Sequence, residues 1–113
     1  MKESATQKAI LEWLAWKHVF HYRNNSGAFV MPETATHARR FFRAGAVGAP
    51  DIVCVVNGQY VGIEVKAPKG KQSENQKELQ RQLEEAGGKY ILAYSIDDVE
   101  RGLSDISLSG QLR

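Results

Sequence analysis

Two adjacent residues, Asn57-Gly58, constrain this chain more tightly than any others. They separate two β-rich runs, residues 51–56 (DIVCVV) and 59–66 (QYVGIEVK). A type I′ turn needs positive φ at both central positions, so Asn-Gly between such runs predicts a two-residue β-hairpin. The short loop also fixes the register. Val56 faces Gln59, and stepping outward pair by pair brings Asp51 opposite Glu64. Side chains alternate between faces, so Ile52, Cys54, Val56, Val61, Ile63 and Val65 share one uniformly apolar face. Asp51, Glu64 and Lys66 fall on the other.

The remaining elements are arranged around this hairpin. Residues 5–17 read as a helix, with Ile10, Trp13 and Leu14 on one face and Trp16 and Ala9 widening it. Residues 18–23 (HVFHYR) read as a strand. Residues 24–50 are irregular, with Asn-Asn-Ser-Gly, Met-Pro and Gly-Ala-Pro as breakers and a short extended piece around Arg40–Arg43. Residues 73–88 form a helix in which Ser73 caps, Gln76 completes a capping box, Leu79, Leu83 and Ala86 make the buried stripe, and Gly87-Gly88 stop the chain. Residues 89–95 (KYILAYS) are a buried strand and 97–103 a short final helix. The order implies one α/β domain over residues 1–113, a central mixed sheet with helices covering it. No stretch is apolar for long enough to span a membrane, and the start, MKESATQK, lacks the apolar core of a signal peptide. Cys54 is the single cysteine, which excludes an internal disulfide and any multi-cysteine zinc site and fits a reducing, cytoplasmic setting.

Two carboxylates facing each other across a ladder repel. A divalent cation between them reverses the sign of that interaction. Mg²⁺ takes one or two carboxylates and keeps several waters, leaving room for a phosphate and a nucleophile. Lys66, on the same face, is placed to orient or deprotonate a water or to stabilise charge developing on phosphate. The bland alternative is an exposed strand end where Glu64 and Lys66 make a surface ion pair of little energetic value. The facing register and Pro50, which rigidifies the start of the strand, favour the chemical reading. Charge distribution agrees with a phosphate partner. The net charge is only +2, yet Arg39, Arg40 and Arg43 lie in one acid-free stretch and Lys66, Lys69 and Lys71 in another.

Gly48-Ala49-Pro50-Asp51 followed on the facing strand by Glu64-Val65-Lys66 resembles the PD-(D/E)XK nuclease superfamily, and more narrowly its VRR-NUC (virus-type replication-repair nuclease) family. Glu3 ahead of the first helix, Asn25-Ser26-Gly27, Gly45, Ser73 to Gln76 and Gly87-Gly88 extend the likeness along most of the chain. The resemblance implies a restriction-endonuclease-like core and a metal-dependent phosphodiesterase. Asp51, Glu64 and the Val65 carbonyl would hold Mg²⁺, with Mn²⁺ able to substitute. Glu3 would assist the metal, Lys66 would serve the water, and Gln76 matches the family's glutamine on the second helix. Small stand-alone members from phages and bacteria are similar to Holliday-junction resolvases and act as homodimers on branched DNA.

Other residues carry competing readings. Gln76 is either a helix cap or a member of the site, and one side-chain geometry is not expected to serve both fully. Arg39, Arg40, Arg43, Lys69 and Lys71 are expected to contact DNA phosphates as a group, although a single loop charge is ordinarily just solvated. His18, His21 and His37 lack metal-ligand spacing, with His18 and His21 assigned to the strand. Trp13 and Trp16 are expected to be core more often than stacking platforms, with Trp16 also a candidate for a dimer contact. Cys54 reads as a small buried hydrophobe. Gly62 opposite Val53 marks either a closely packed helix or a bulge. Two alternatives to a junction resolvase remain: a nicking or restriction-like nuclease, and a non-catalytic DNA-binding subunit keeping the nuclease fold.

Overall fold

The computed structural model describes residues 3–24, 28–31, 40–43 and 48–111, with side chains over 3–24 and 48–106. Its elements are α1 (Glu3–Trp16), β1 (Phe20–Arg23), β2 (Ala28–Met31), β3 (Arg40–Arg43), β4 (Ile52–Val56), β5 (Gln59–Val65), α2 (Glu74–Glu85), β6 (Lys89–Ala93) and α3 (Ile96–Gln111). A four-stranded mixed sheet runs in the order β1-β4-β5-β6, and β2 pairs with β3 in a separate two-stranded sheet. The fold is α/β, with helices flanking the central sheet. Neighbours β1, β4 and β5 are antiparallel; β5 and β6 are parallel, which is why a helix, α2, must connect them.

The hairpin register is the expected one. Asn57 and Gly58 both take positive φ (51° and 78°), Val56 pairs with Gln59, and Ile52 pairs with Ile63. Gly62 makes no bulge and stays opposite Val53. It is small because Pro50 sits on it: a Cβ there would lie 2.5 Å from the Pro50 Cγ. The apolar hairpin face joins Ile10 and Leu14 of α1, Ile91 and Ala93 of β6, and Val99, Leu103 and Ile106 of α3 in one core. Burying a side chain such as Ile63 stabilises by roughly 1.5–3 kcal/mol. Cys54 is buried in this core, as expected, and burial pushes its thiol up to about 11.

Several expected boundaries shift, each for a local reason. His18 is not in a strand. It takes φ 59°, and the amides of His18 and Val19 bond back to Ala15 and Leu14, the geometry that ends α1. The extended piece at Arg40–Arg43 is β3, but its partner β2 was not anticipated. In α2, Ser73 caps and Gln76 completes the box as expected. Gly88 and Gly87 bond back to Leu83 and Glu84, which closes the helix before Ala86. Ala86 is therefore exposed rather than part of a buried stripe, and Leu79 and Leu83 are half-buried. The final helix is much longer than 97–103, running Ile96–Gln111 through Gly102. Trp13 packs against the core, whereas Trp16 is 73% exposed and carries the Lys17 ammonium over its ring.

Candidate active site

The hairpin opens at its Asp51 and Glu64 end, on the sheet face opposite the core shared by α1 and α3. Asp51 immediately precedes β4, and its Oδ2 accepts the Val65 amide at 2.8 Å. The Asp51 backbone is fixed from a residue the sequence did not single out. Asn24 donates its amide to the Asp51 carbonyl at 2.8 Å and its side-chain Nδ2 to the Pro50 carbonyl at 3.0 Å. Its only sequence signal was a polar residue closing a strand. Lys66 leaves β5 with its amide bonded to the Ala93 carbonyl, which aims its side chain back over the site.

Glu64 is the centre of the arrangement, and it is 3% exposed rather than on a solvated strand end. Its Oε2 accepts from Gln76 Nε2 at 3.0 Å and lies 4.0 Å from Lys66 Nζ. Its Oε1 is buried and accepts no hydrogen bond among the described residues, and when Glu64 is protonated it shares that proton with Asp51. Burial, then the neighbouring Asp51 carboxylate, push the Glu64 carboxyl up to about 8; Lys66 opposes and Glu3 adds to the rise. Glu3, in the first turn of α1, is therefore close enough to act on Glu64 electrostatically.

Gln76 resolves its two readings by using both ends of its amide. Oε1 accepts the Ser73 amide at 2.8 Å while Nε2 donates to Glu64. The expectation that one side-chain geometry cannot serve both is corrected: the cap and the bond to Glu64 are made at once. The N-terminus of α2 is pressed against the turn before Asp51, since a Cβ at Gly48 would lie 2.6 Å from the Asn75 carbonyl oxygen.

Tyr90 was also missed. On β6 it pairs with Gly62, beneath α2, and its hydroxyl is buried close to the Gln72 side chain. Burial pushes this phenol up to about 12, opposed by the hydrogen bond with Gln72 and aided by Glu64 and Asp51. Lys69 and Lys71 are exposed on the loop after β5, which Tyr94 ties down by donating its hydroxyl to the Gly70 carbonyl at 3.0 Å. Arg40 and Arg43 begin and end β3. Arg39, His37, Asn25-Ser26-Gly27 and Gly45 lie outside the described residues.

The donor set fits a hard cation. All its groups are oxygens, two carboxylates adjoin, and one buried oxygen accepts no hydrogen bond among the described residues. Among the described residues no three His, Cys, Asp or Glu side chains form a ready-made cage. Mg²⁺ does not require one, because it keeps most of its waters. No described helix is long and apolar enough to cross a membrane. One family profile, described as the VRR-NUC domain, matches residues 1–97. No curated protein matches the chain.

Proposed function

This chain belongs to the VRR-NUC family, a family of nucleases, and on that premise we propose that it is a Mg²⁺-dependent, structure-selective DNA endonuclease. Its substrate is branched DNA, with the four-way junction cut by a homodimer. The observation that carries the reading is Glu64: a carboxylate buried against the Asp51 carboxylate and clamped by Gln76. Two carboxylates packed this closely are stable only with a shared proton or a cation between them, and a purely structural ion pair explains neither.

Asp51, Glu64 and the Val65 carbonyl would hold the ion, with Glu3 assisting. When bound, Mg²⁺ supplies Lewis-acid polarisation of the scissile phosphate, and Mn²⁺ substitutes for it. Gln76 holds the Glu64 carboxylate in one orientation by spending its amide hydrogen on Oε2. Lys66 presents a cation beside that carboxylate, where it orients the attacking water and stabilises the charge that develops on phosphate. Asn24 holds the backbone of Asp51 so that the two carboxylates keep their spacing. Lys69 and Lys71, with Arg39, Arg40 and Arg43, contact flanking phosphates.

Cleavage of junction, flap and linear duplex DNA in Mg²⁺, then in EDTA, tests this reading. Activity should need the ion and favour the junction. Asp51→Ala, Glu64→Ala and Lys66→Ala should each abolish turnover while metal-free DNA binding survives. Turnover retained by the Asp51 or Glu64 variant would overturn the mechanism. DNA binding without cleavage by the wild type would favour a non-catalytic subunit.

A further inference from the structure

The segment joining β5 to α2 starts at Lys66 and carries Lys69 and Lys71, with no acid before Ser73. An exposed loop is ordinarily loose, yet this one is fastened along its length. One step past the Val65–Ala93 pair, the Lys66 amide bonds to the Ala93 carbonyl, which brings Tyr94 alongside Lys66. Ala67-Pro68-Lys69-Gly70 then makes a β-turn, closed by the Gly70 amide on the Ala67 carbonyl at 2.8 Å, with Pro68 presetting the bend. The turn folds back on Lys66, since a Cβ at Gly70 would lie 3.4 Å from the Lys66 Cβ. Tyr94 donates its hydroxyl to the Gly70 carbonyl at 3.0 Å, and its own amide donates to Asp98 in the first turn of α3. Beyond the turn Gln72 donates to Gln80 of α2 at 2.8 Å, so Lys71 lies between two fixed residues.

Lys69 and Lys71 are exposed and pair with no acid among the described residues, whereas Lys77, Arg81, Lys89 and Arg101 each do. We infer that Tyr94 is a positioning residue for the DNA reaction: through the Gly70 carbonyl it holds Lys69 and Lys71 where they grip the phosphate next to the one cut. The inference rests on the nuclease reading above, in which Lys66 serves the reacting phosphate. A cation already in place loses little freedom on binding, so a fixed turn grips more tightly than a loose loop of the same charge. Among the described residues, the Tyr94 hydroxyl is the side-chain group that reaches the turn itself. Removing that one oxygen loosens the turn and leaves every charge in place.

The test is Tyr94→Phe, which deletes the hydroxyl and keeps the ring, made in the wild type and in a Lys69→Ala/Lys71→Ala background. Affinity for a four-way junction is read in EDTA over a range of salt, and kcat and KM in Mg²⁺. All are measured at a temperature where circular dichroism shows each chain folded. The double lysine variant should reduce the slope of log affinity against log salt by about 2. Tyr94→Phe should weaken metal-free binding and raise KM by roughly two- to tenfold, the reach of one hydrogen bond, with kcat little changed. In the double lysine background it should change neither, because the tyrosine acts only through the turn. An equal Tyr94→Phe loss in both backgrounds, no loss in either, or a fall in kcat at constant KM overturns the inference. The nuclease reading fails separately. A wild type that binds the junction without Mg²⁺-dependent cleavage removes that reading, while the affinities in the two backgrounds still decide what Tyr94 does. Cleavage that needs Asp51, with equal Tyr94→Phe losses in both backgrounds, removes only the role of Tyr94.

Discussion

A carboxyl group buried against a second carboxylate gains little from being ionised. Glu64 is in that position, and burial followed by Asp51 moves its pKa from 4.5 to about 8. A group whose pKa rises on folding binds its proton more tightly in the native state. Its contribution is complete below the unfolded value and is lost as pH climbs through the folded one. The metal-free protein should therefore lose stability between pH 4.5 and about 8, by at most ~1.4 kcal/mol per pH unit from this group. Mg²⁺ should raise Tm most at the alkaline end, where the carboxylate is free of its proton. Glu64→Gln should flatten this dependence and abolish the Mg²⁺ response. Melting curves of both proteins across that window check the point, and a Tm difference that does not vary with pH would contradict it. The facing of Asp51 and Glu64 was legible in the sequence because a two-residue Asn-Gly loop leaves one register. The burial of Glu64 was not legible. It depends on Gln76 from α2 and lies within the electrostatic reach of Glu3 on α1, long-range neighbours that no local pattern encodes.

At the scale of elements, α2 is placed by its first turn. Ser73 accepts the Gln76 amide, Gln76 returns the bond, and the same side chain reaches Glu64. Ser73→Ala should therefore cost about 1 kcal/mol of stability and also lower cleavage several-fold, although Ser73 touches no substrate. Ser73→Thr, which retains the cap, should restore both. Cleavage rates and melting curves measured together separate this from simple helix fraying, which would lower Tm alone. On the sheet, Gly62→Ala would drive a methyl group into Pro50. Overpacking of this kind costs about 1–3 kcal/mol, and here it should also displace Asp51 and depress kcat. The capping box was legible because its residues are adjacent in sequence. The length of α3 was not, since residues 104–111 (SDISLSGQ) are rich in serine and glycine, which favour helices poorly. At Gly102 a Cβ would lie 2.5 Å from Ile91 Cδ1, so the glycine lets the helix lie close on β6. His18 misled for a related reason: a histidine in the left-handed conformation takes the place usually filled by glycine after a helix.

At the scale of the whole molecule, a four-way junction has two strands to cut, and this chain offers one Asp51–Glu64–Lys66 site. Symmetric resolution then requires two copies. A closed two-fold pair is the commonest solution and matches the symmetry of the junction. The expected contact is the end of α1, where Trp16 stands 73% exposed, outside the core. Such a ring is costly to leave in water, and aromatic residues are favoured at the buried centre of interfaces. We expect a homodimer burying at least ~1,000 Å², seen by light scattering at micromolar concentration. Trp16→Glu should convert it to a monomer that still nicks one strand but no longer makes paired cuts in a junction. A wild-type monomer that cuts singly would make a nicking nuclease the better description. A Trp16→Glu variant that stays dimeric would move the interface elsewhere without touching the requirement for two sites.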